Sequence, residues 1–276
     1  MNSTLRHPLT YLFVPGSRPE RFAKAGGTKA HRVIIDLEDA VAPADKQVAR
    51  EAIAGFLPTL PDDERGRWMI RINDVRSTFF SDDLLLLKSL PTVSVMIPKA
   101  EDPEDIRAVC EGGVGREVIA LMETVRGVRQ SERVAQTPGV SRLAFGSLDY
   151  MFDMGLETPG LPLDLAAVEL VLASRLADLP PPIAGVTPSV ESAEVAQESV
   201  QAKSLGFGAK LCIHPKQLEA VEAAFSPDAD TQAWAERVVL AWQGAERAGA
   251  GVGALMVDGK MVDKPVLLRA QRVLGL

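Results

Sequence analysis

The feature that most constrains the fold of this chain is a series of short apolar segments that recurs along most of its length. Each segment is rich in β-branched or other apolar residues and is followed by a stretch with helical periodicity, at intervals of roughly 20–35 residues. The segments begin at Tyr11, Arg32, Trp68, Val93, Glu117, Ser141, Ile183 and Ala209. Alternation of this kind is typical of βα units with parallel strands. Eight such units within 276 residues predict a closed (β/α)8 (TIM) barrel rather than an open sheet.

The segments between the strands carry the helical signals. Residues 103–105, Pro-Glu-Asp, place proline and carboxylates in a first helical turn. The predicted helices cover residues 19–24, 45–57, 82–90, 103–110, 128–135, 163–179, 192–204 and 216–225. Residues 233–248 then predict one more amphipathic helix, and residues 249–264 a glycine-rich connection ahead of a short final helix. We therefore expect a barrel domain at residues 1–226 and a helical C-terminal extension at residues 227–276.

Composition narrows the class of protein. The chain has 30 Lys and Arg against 37 Asp and Glu, and its net charge of −7 argues against binding to nucleic acid. It shows neither a signal peptide nor about 18 uninterrupted apolar residues, so we expect a cytoplasmic protein that binds no membrane. Cys110 and Cys212 lie far apart without a CxxC neighbour, which predicts reduced, inert thiols rather than a disulfide or zinc site.

Two acids stand at the carboxyl ends of neighbouring predicted strands, where barrels of this class build their active sites. Glu123 ends strand five and Asp149 ends strand six. Two carboxylates from adjacent strands suit one hard cation such as Mg²⁺, which keeps waters that a substrate displaces. Alternatively, either acid caps the helix that follows it.

Three basic residues at other strand ends have two interpretations each. Arg71, in an otherwise apolar strand, needs an anion, which is either a substrate carboxylate or an internal partner such as Glu38 or Asp39. Lys99 fits an imine-forming aldolase or an ordinary ion pair. His214 is either a catalytic residue or a histidine bound to the backbone.

Short motifs in a fixed order carry a resemblance to a known family. They are residues 12–22 (LFVPGSRPERF), 35–41 (IDLEDAV), 71–73 (RIN), 98–100 (PKA), 123–124 (ET), 145–149 (FGSLD), 213–215 (IHP) and 259–263 (GKMVD). In this order they resemble the citrate lyase β-subunit-like branch of the HpcH/HpaI aldolase superfamily, which also contains malyl-CoA and citramalyl-CoA lyases. The resemblance runs nearly end to end.

The resemblance implies a carbon–carbon lyase that uses Mg²⁺, and carboxylate and water ligands would suit Mn²⁺ as well. Such an enzyme cleaves a 3-hydroxyacyl thioester into an acyl-CoA and a 2-oxo acid, or runs the reverse condensation. By position, Glu123 and Asp149 correspond to the metal ligands, and Arg71 to the catalytic residue that clamps the oxo-acid carboxylate. These three residues and Leu148 correspond to the substrate-binding set, while Glu38, Asp39 and Lys99 correspond to the groups around the metal waters.

The resemblance also implies a thioester site and an oligomer. Phe13, Arg18 and Lys24 fall where relatives contact the coenzyme A or acyl-carrier thioester. Asp263 corresponds to the aspartate that moves protons on and off the acyl methyl group in relatives. It lies on a C-terminal segment that closes over the site of a neighbouring subunit, usually in a homotrimer. Many relatives have glutamate where this chain has Leu148, which leaves the choice of substrate open.

Three other functions remain open. One is the β subunit of a citrate lyase complex, which acts on a citryl-acyl-carrier protein to give oxaloacetate. Another is a pyruvate-dependent class II aldolase on free hydroxy-oxo acids, which would need neither Arg18, Lys24 nor Asp263. A third is a non-catalytic binding protein, in which metal would affect no thioester. The acyl group, the oxo acid and the physiological direction are also left open, as is the choice between the two metals.

Overall fold

The computed structural model describes residues 7–90, 92–111, 117–247 and 253–276. Contacts divide the chain into two compact units, one formed by Leu9–Phe225 and the other containing Ser226–Leu276. None of the helices in the described ranges has the length and apolar character needed to span a membrane.

The first unit is a closed barrel of eight parallel strands, which confirms the predicted fold class. The strands are β1 (Thr10–Pro15), β2 (Arg32–Asp36), β3 (Trp68–Arg71), β4 (Ser94–Ile97), β5 (Val118–Met122), β6 (Val140–Phe145), β7 (Ile183–Ala184) and β8 (Ala209–Cys212). Consecutive strands pair, and β8 pairs with β1 to close the ring. Strands β3, β4 and β5 are buried at every residue, because parallel barrel strands are covered on both faces. Their sequences are therefore almost continuously apolar.

Helices and short 3-10 turns connect these strands. The helices are α1 (Phe22–Gly26), α2 (Lys46–Phe56), α3 (Asp62–Arg65), α4 (Phe80–Ser89), α5 (Pro103–Glu111), α6 (Val125–Arg129), α7 (Ser131–Ala135), α8 (Ser147–Met154), α9 (Leu161–Leu176), α10 (Ser192–Leu205) and α11 (Leu218–Phe225). The 3-10 turns are Pro19–Arg21, Pro43–Asp45, Leu57–Thr59 and Pro215–Gln217.

The prediction that residues 147–149 end strand six was wrong. Pairing of β6 with β5 stops at Phe145, and the backbone N–H of Gly146 makes the last bond, to the carbonyl of Met122 at 3.0 Å. The chain then turns directly into α8, so Ser147 begins a helix that the sequence analysis did not predict.

Inward-facing side chains fill the centre of the barrel. This interior cluster consists of Tyr11, Ile34, Met69, Met96, Ile119, Leu121, Ala144, Ile183, Ala209 and Leu211, with Phe13 and Val186 packed against it. Strand side chains alternate between the two faces, so the next inward positions after Ile34, Met69 and Leu121 belong to polar residues. These residues are Asp36, Arg71 and Glu123. The fold thus places three charged groups above an apolar base, at the carboxyl ends of the strands.

A buried polar network ties α2 and α4 to the segments that follow β2 and β3. Asp83 is fully buried, and its carboxylate accepts from Arg50 Nε at 2.8 Å and from the backbone and side-chain N–H groups of Asn73, both at 2.7 Å. Asn73 Oδ1 accepts from Lys46 Nζ at 2.6 Å, and Lys46 also donates to the carbonyl oxygens of residues 37–38. The network therefore fixes the backbone next to the strand-end acids.

Replacing Asp83 with alanine should lower the free energy of unfolding by about 3–5 kcal/mol, because Arg50 and Asn73 lose their buried partner. The adjacent Asp82, whose side chain is 57% exposed, provides the matched control. Asp82→Ala should change the free energy of unfolding by less than about 0.5 kcal/mol. Urea unfolding followed by circular dichroism measures both variants. If both variants lost an equally small free energy of unfolding, the network would not stabilise the fold.

The second unit contains two helices and a hairpin. These are α12 (Ala229–Arg247), the antiparallel strands β9 (Ala254–Val257) and β10 (Lys260–Asp263), and α13 (Lys264–Val273). The expectation of a plain glycine-rich connection at residues 249–264 was therefore wrong for residues 254–263, while residues 248–252 lie outside the described ranges. Asp258 and Gly259 have φ values of 52° and 74°, as in a two-residue type I′ turn.

Candidate active site

A pocket of about 410 Å³ opens at the carboxyl ends of the barrel strands. It is lined by Phe13, Pro15, Asp36, Asp39, Ala40, Arg71, Leu121, Glu123, Phe145, Gly146, Ser147, Leu148, Asp149, Val186, Leu211 and Ile213. Leu121 and Leu211 also belong to the interior cluster, so the pocket is closed at its base. Four carboxylates and one guanidinium group line it, and most of the other lining residues are apolar. The fold thus brings six predicted site residues together: Phe13, Asp39, Arg71, Glu123, Leu148 and Asp149.

Carboxylates from β2 and the segment after it hold Arg71 in place. Its Nε and Nη2 atoms donate to the two carboxylate oxygens of Asp36, both at 2.7 Å. Its Nη1 atom lies 3.0 Å from Glu38 and 3.5 Å from Asp39. The guanidinium group also lies 5.0 Å from the centre of the Phe13 ring. Burial acts to lower the pKa of Arg71, but the hydrogen bonds and charge of Asp36 outweigh it and raise the pKa. Arg71 is therefore a fixed cation.

Asp36 is a site residue that the sequence analysis did not single out. Glu38 and Asp39 were the expected internal partners of Arg71, and both contact it, but the two-point partner is Asp36. The same carboxylate accepts from the backbone N–H groups of Glu38 at 2.9 Å and Ala40 at 3.0 Å. Strand alternation offered a signal, because Asp36 lies two residues after the inward-facing Ile34.

Lys99 contacts both Glu123, after β5, and Glu38, after β2. Its backbone has a φ of 44°, which residues other than glycine seldom adopt. Its backbone N–H donates to Glu123 Oε1 at 2.8 Å, and its Nζ donates to Glu38 Oε1 at 3.0 Å. Burial acts to lower the pKa of Lys99, but the charge of Glu38 raises it overall. A lysine held as an ammonium ion is a poor nucleophile, which argues against imine chemistry.

Glu123 is a buried carboxyl group in a tight environment. It follows β5 directly and is 2% exposed. Gly146 packs against it so closely that an added methyl group would overlap Glu123 Cβ and lie 2.7 Å from Oε2. Burial and the negative charge of Glu38 raise the pKa of Glu123 to about 8. Ionisation in this environment is costly without a nearby cation, so the site favours binding of positive charge.

Asp149 lies in the first turn of α8, on the exposed side of the pocket wall. Partial burial and the charge of Asp39 raise the pKa of Asp149. Asp149 also contributes to the raised pKa of Glu123, so the two carboxylates interact through space. Leu148, beside Asp149, is 46% exposed and presents an apolar surface to the same pocket.

The remaining predicted residues have other placements. Arg18 and Lys24 are exposed residues of the segment after β1 and are not among those that line the pocket. Asp263 lies in the second unit, where Oδ1 accepts from the backbone of α13 at 3.1 Å and caps that helix. His214 Nδ1 accepts a backbone N–H at 3.1 Å, which fits the backbone-binding interpretation of this histidine.

The acids around Glu123 determine which cofactor the site can hold. In the described part of the chain, no group of three or more His, Cys, Asp or Glu side chains is arranged to hold a metal ion. The pocket does bring Glu123 and Asp149 together, with Glu38 and Asp39 next to them. Mg²⁺ commonly binds proteins through one or two carboxylates and takes water or substrate oxygens for its other ligands. These residues therefore fit a magnesium ion.

Comparison with known proteins adds to this geometry. Residues 9–215 match the family profile described as HpcH/HpaI aldolase/citrate lyase. A citrate lyase subunit beta-like protein of Mycobacterium tuberculosis is 35% identical over 96% of this chain and 93% of that protein. A (3S)-malyl-CoA thioesterase of Cereibacter sphaeroides is 31% identical over 98% and 94%, respectively.

A solved structure covers nearly the whole chain. The crystal structure of protein CitE from Mycobacterium tuberculosis in complex with magnesium, acetoacetate and coenzyme A aligns with a TM-score of 0.81. The two chains are 31% identical, and the alignment covers 98% of each. These matches confirm the resemblance inferred from the motifs. The chain belongs to the HpcH/HpaI aldolase/citrate lyase family.

Proposed function

We propose that this protein is a Mg²⁺-dependent carbon–carbon lyase that cleaves a 3-hydroxyacyl-CoA thioester into an acyl-CoA and a 2-oxo acid, or runs the reverse condensation. The observation that carries the proposal is the presence of Glu123, Asp149 and the fixed guanidinium group of Arg71 in one pocket closed at its base. Support also comes from the mycobacterial CitE structures, solved with magnesium and coenzyme A and with oxaloacetate and magnesium.

Glu123 and Asp149 would hold the metal, and Glu38 and Asp39 would orient its waters. Mn²⁺ suits the same oxygen ligands. A bound Mg²⁺ supplies Lewis-acid polarisation of a carbonyl oxygen. The raised pKa values of Glu123 and Asp149 support this assignment, because a cation offsets the cost of ionising both groups.

Arg71 would bind the end of the substrate that becomes the 2-oxo acid. Arg71 donates to Asp36 through Nε and one N–H of Nη2. Other N–H groups of its guanidinium group can therefore donate to a substrate carboxylate. In the cleavage direction the substrate hydroxyl loses its proton as the carbon–carbon bond breaks. The electron pair of that bond passes to the carbon next to the thioester, which then accepts a proton.

The thioester and the second proton carrier complete the proposal. Arg18 and Lys24 are exposed in the segment that follows β1, and such cations suit the phosphates of coenzyme A. Phe13 lines the pocket. Asp263 of a neighbouring subunit would protonate the acyl carbon. The C-terminal extension at residues 227–276 would then contact that neighbour, in a homotrimer.

The experiment that tests this function measures both possible products. The purified protein with Mg²⁺ is incubated with malyl-, citramalyl-, β-methylmalyl- and citryl-CoA, and the 2-oxo acid and free thiol are followed separately. Release of a 2-oxo acid without free thiol is the expected result. No 2-oxo acid from any of the four coenzyme A thioesters would overturn the proposal.

Two relatives favour specific alternatives that the same assay separates. The (3S)-malyl-CoA thioesterases favour hydrolysis, which would release free coenzyme A thiol and a hydroxy acid. The citrate lyase subunit beta of Leuconostoc mesenteroides, 30% identical over all of this chain, favours a carrier-protein substrate. In that case turnover would occur on citryl-acyl-carrier protein and not on the coenzyme A esters.

Replacing Gly146 with alanine should weaken Mg²⁺ binding roughly 10–100-fold, the range found for groups that support metal ligands. The added methyl group overlaps Glu123 and forces its carboxylate to move. Gly55→Ala in α2 is the control, because an added methyl group there meets nothing within 4 Å. Isothermal titration with Mg²⁺ measures both variants. Unchanged affinity in Gly146→Ala would remove Glu123 from the metal site.

A further inference from the structure

The lining of the active-site pocket divides into a charged half and an apolar half. Asp36, Asp39 and Arg71 come from β2, β3 and the segment after β2. The other half comes from β6, β7, β8 and the segments that follow them. We call it the apolar half, and it consists of Phe145, Leu148, Val186, Leu211 and Ile213. Strands β2 and β3 lie opposite β6 and β7 in the ring of eight strands, so the two halves face each other across the pocket.

The charged half has no positive charge to spare. Among the described residues that line the pocket, Arg71 is the one cation, and three carboxylates surround its guanidinium group. Lys99 is already paired with Glu38 at 3.0 Å. With Mg²⁺ bound, the four positive charges of Arg71, Lys99 and the metal face five carboxylates, those of Asp36, Glu38, Asp39, Glu123 and Asp149. The site therefore carries excess negative charge before any substrate enters.

The apolar half offers no cation to a second substrate carboxylate. None of its five members carries a charge. Lys210 precedes Leu211 on β8 but lies on the opposite face of the strand. There its Nζ donates to the carbonyl oxygen of Gly185 at 2.8 Å and lies 3.6 Å from Glu198. A carboxylate in the apolar half would therefore lose water without gaining a partner charge.

Neighbouring side chains fix the apolar half in place. The centre of the Phe145 ring lies 5.5 Å from that of Tyr150 and 6.4 Å from that of Phe207. Ser147 Oγ lies against Gly185, where an added methyl group would overlap it. This wall of the pocket therefore keeps its apolar surface toward the substrate.

The proposed reaction determines which part of the substrate meets this wall. In that reaction the carboxylate of the 2-oxo acid lies at Arg71, and the carbonyl oxygen lies toward Glu123 and Asp149. The third substituent of the carbonyl carbon then points away from Arg71, toward Leu148 and the rest of the apolar half. An alkyl group there gains roughly fourfold in affinity for each buried carbon. A carboxylate there finds no cation and adds to the excess negative charge.

We propose that the apolar half selects a 2-oxo acid with a short alkyl side chain, such as pyruvate or 2-oxobutyrate, and discriminates against one with a second carboxylate, such as oxaloacetate. Leu148 contributes directly, because it lines the pocket and immediately precedes Asp149. The inference rests on the proposed function and names its substrate class. The parent thioester carries a methyl or ethyl group on its hydroxyl-bearing carbon, as citramalyl-CoA does, instead of the carboxymethyl group of citryl-CoA.

Isothermal titration of the full-length protein with 2-oxobutyrate and with oxaloacetate, in saturating Mg²⁺, tests the selection. The two acids differ only in a methyl group against a carboxylate at the same position. 2-Oxobutyrate should bind about tenfold more tightly or better. Equal affinities, or tighter binding of oxaloacetate, would overturn the inference and leave the lyase function standing. Binding of neither acid would contradict both. Selective binding without cleavage of any thioester would contradict the lyase function alone.

Two lysine variants test the role of Leu148. Leu148→Lys places a cation in the apolar half and should reduce the preference for 2-oxobutyrate about fivefold, the effect of one partly exposed ion pair with oxaloacetate. The matched control is Phe152→Lys, one turn further along α8, because Phe152 is 90% exposed and is not among the residues that line the pocket. It should keep the wild-type preference, and circular dichroism confirms that both variants fold. A folded Leu148→Lys variant with the wild-type preference would exclude Leu148 from the selection.

Discussion

Replacing Glu123 with glutamine should abolish turnover, with a loss of about 10³-fold or more in kcat. An uncharged amide binds Mg²⁺ weakly, and loss of the metal removes several kcal/mol of charge stabilisation, each 1.36 kcal/mol being about tenfold in rate. In the wild type the backbone N–H of Lys99 donates to Glu123 Oε1 at 2.8 Å. The glutamine oxygen can still accept this hydrogen bond, so the fold should be retained. Release of the 2-oxo acid and Mg²⁺ titration measure the two effects.

The same substitution should change how stability depends on pH in the absence of metal. The pKa of Glu123 is about 8 in the folded protein against an ordinary value of 4.5, so the folded state binds more protons between these values. Stability of the metal-free wild type should therefore fall as pH rises through that range. Glutamine does not titrate, so the variant should lose less stability over this range. Thermal unfolding in EDTA between pH 5 and about 8.5 measures the difference.

Glu117 offers the control for both measurements. It precedes β5 at the amino end of the barrel and pairs with Arg32 at 3.1 Å. Residues at the amino end of such barrels contribute to stability rather than to catalysis. Glu117→Gln should keep turnover and Mg²⁺ affinity. Retained turnover in Glu123→Gln would refute the metal-ligand role, whatever the control shows.

Replacing Arg71 with lysine should lower kcat/KM by about 10²–10³-fold, the usual cost of losing one fixed donor to developing charge. A lysine ammonium cannot reproduce the two parallel bonds to Asp36, so its donors are no longer fixed toward the substrate. Arg71→Met should in addition lower the free energy of unfolding by about 3–5 kcal/mol, because Asp36 and Glu38 then remain buried without a cation. Steady-state kinetics and urea unfolding separate the two effects.

Arg76 is the matched control for the Arg71 variants. It follows the same strand, its side chain is 52% exposed, and it pairs with Glu101 at 3.1 Å. Arg76→Lys should leave kcat/KM within about a factor of two, as surface ion pairs contribute little. Equal activity in Arg71→Lys and Arg76→Lys would exclude Arg71 from the substrate site.

Strand number and fold class were predictable because both faces of parallel barrel strands are buried. Burial leaves a continuous apolar run in the sequence, and eight runs determine the class of fold. Helix α8 was not predictable in the same way, since its first residues follow β6 without a loop. The β9–β10 hairpin was missed although its Asp258-Gly259 turn is a strong signal. The glycines nearby had suggested an irregular connection.

The site was predictable as a set of residues but not as a set of contacts. Position at strand ends identified Glu123, Asp149 and Arg71 as candidates. It did not show that Asp36 rather than Glu38 would make the two-point contact with Arg71, because that depends on the relative shift of neighbouring strands. The unusual backbone of Lys99 was also not predictable, since its cost is offset by a bond to Glu123, which directly follows the next strand.

The closed base of the pocket bears on the order in which products leave. Leu121 and Leu211 block the barrel interior, so both fragments of a cleaved substrate must depart through the same opening. Arg71 is 9% exposed, and in the proposed function it would bind the fragment that lies deeper, which would then stay until the outer one has gone. For the proposed lyase the acyl-CoA is thus released first and the 2-oxo acid second. In the direction of synthesis, the small acid enters an empty site and the thioester closes the passage behind it.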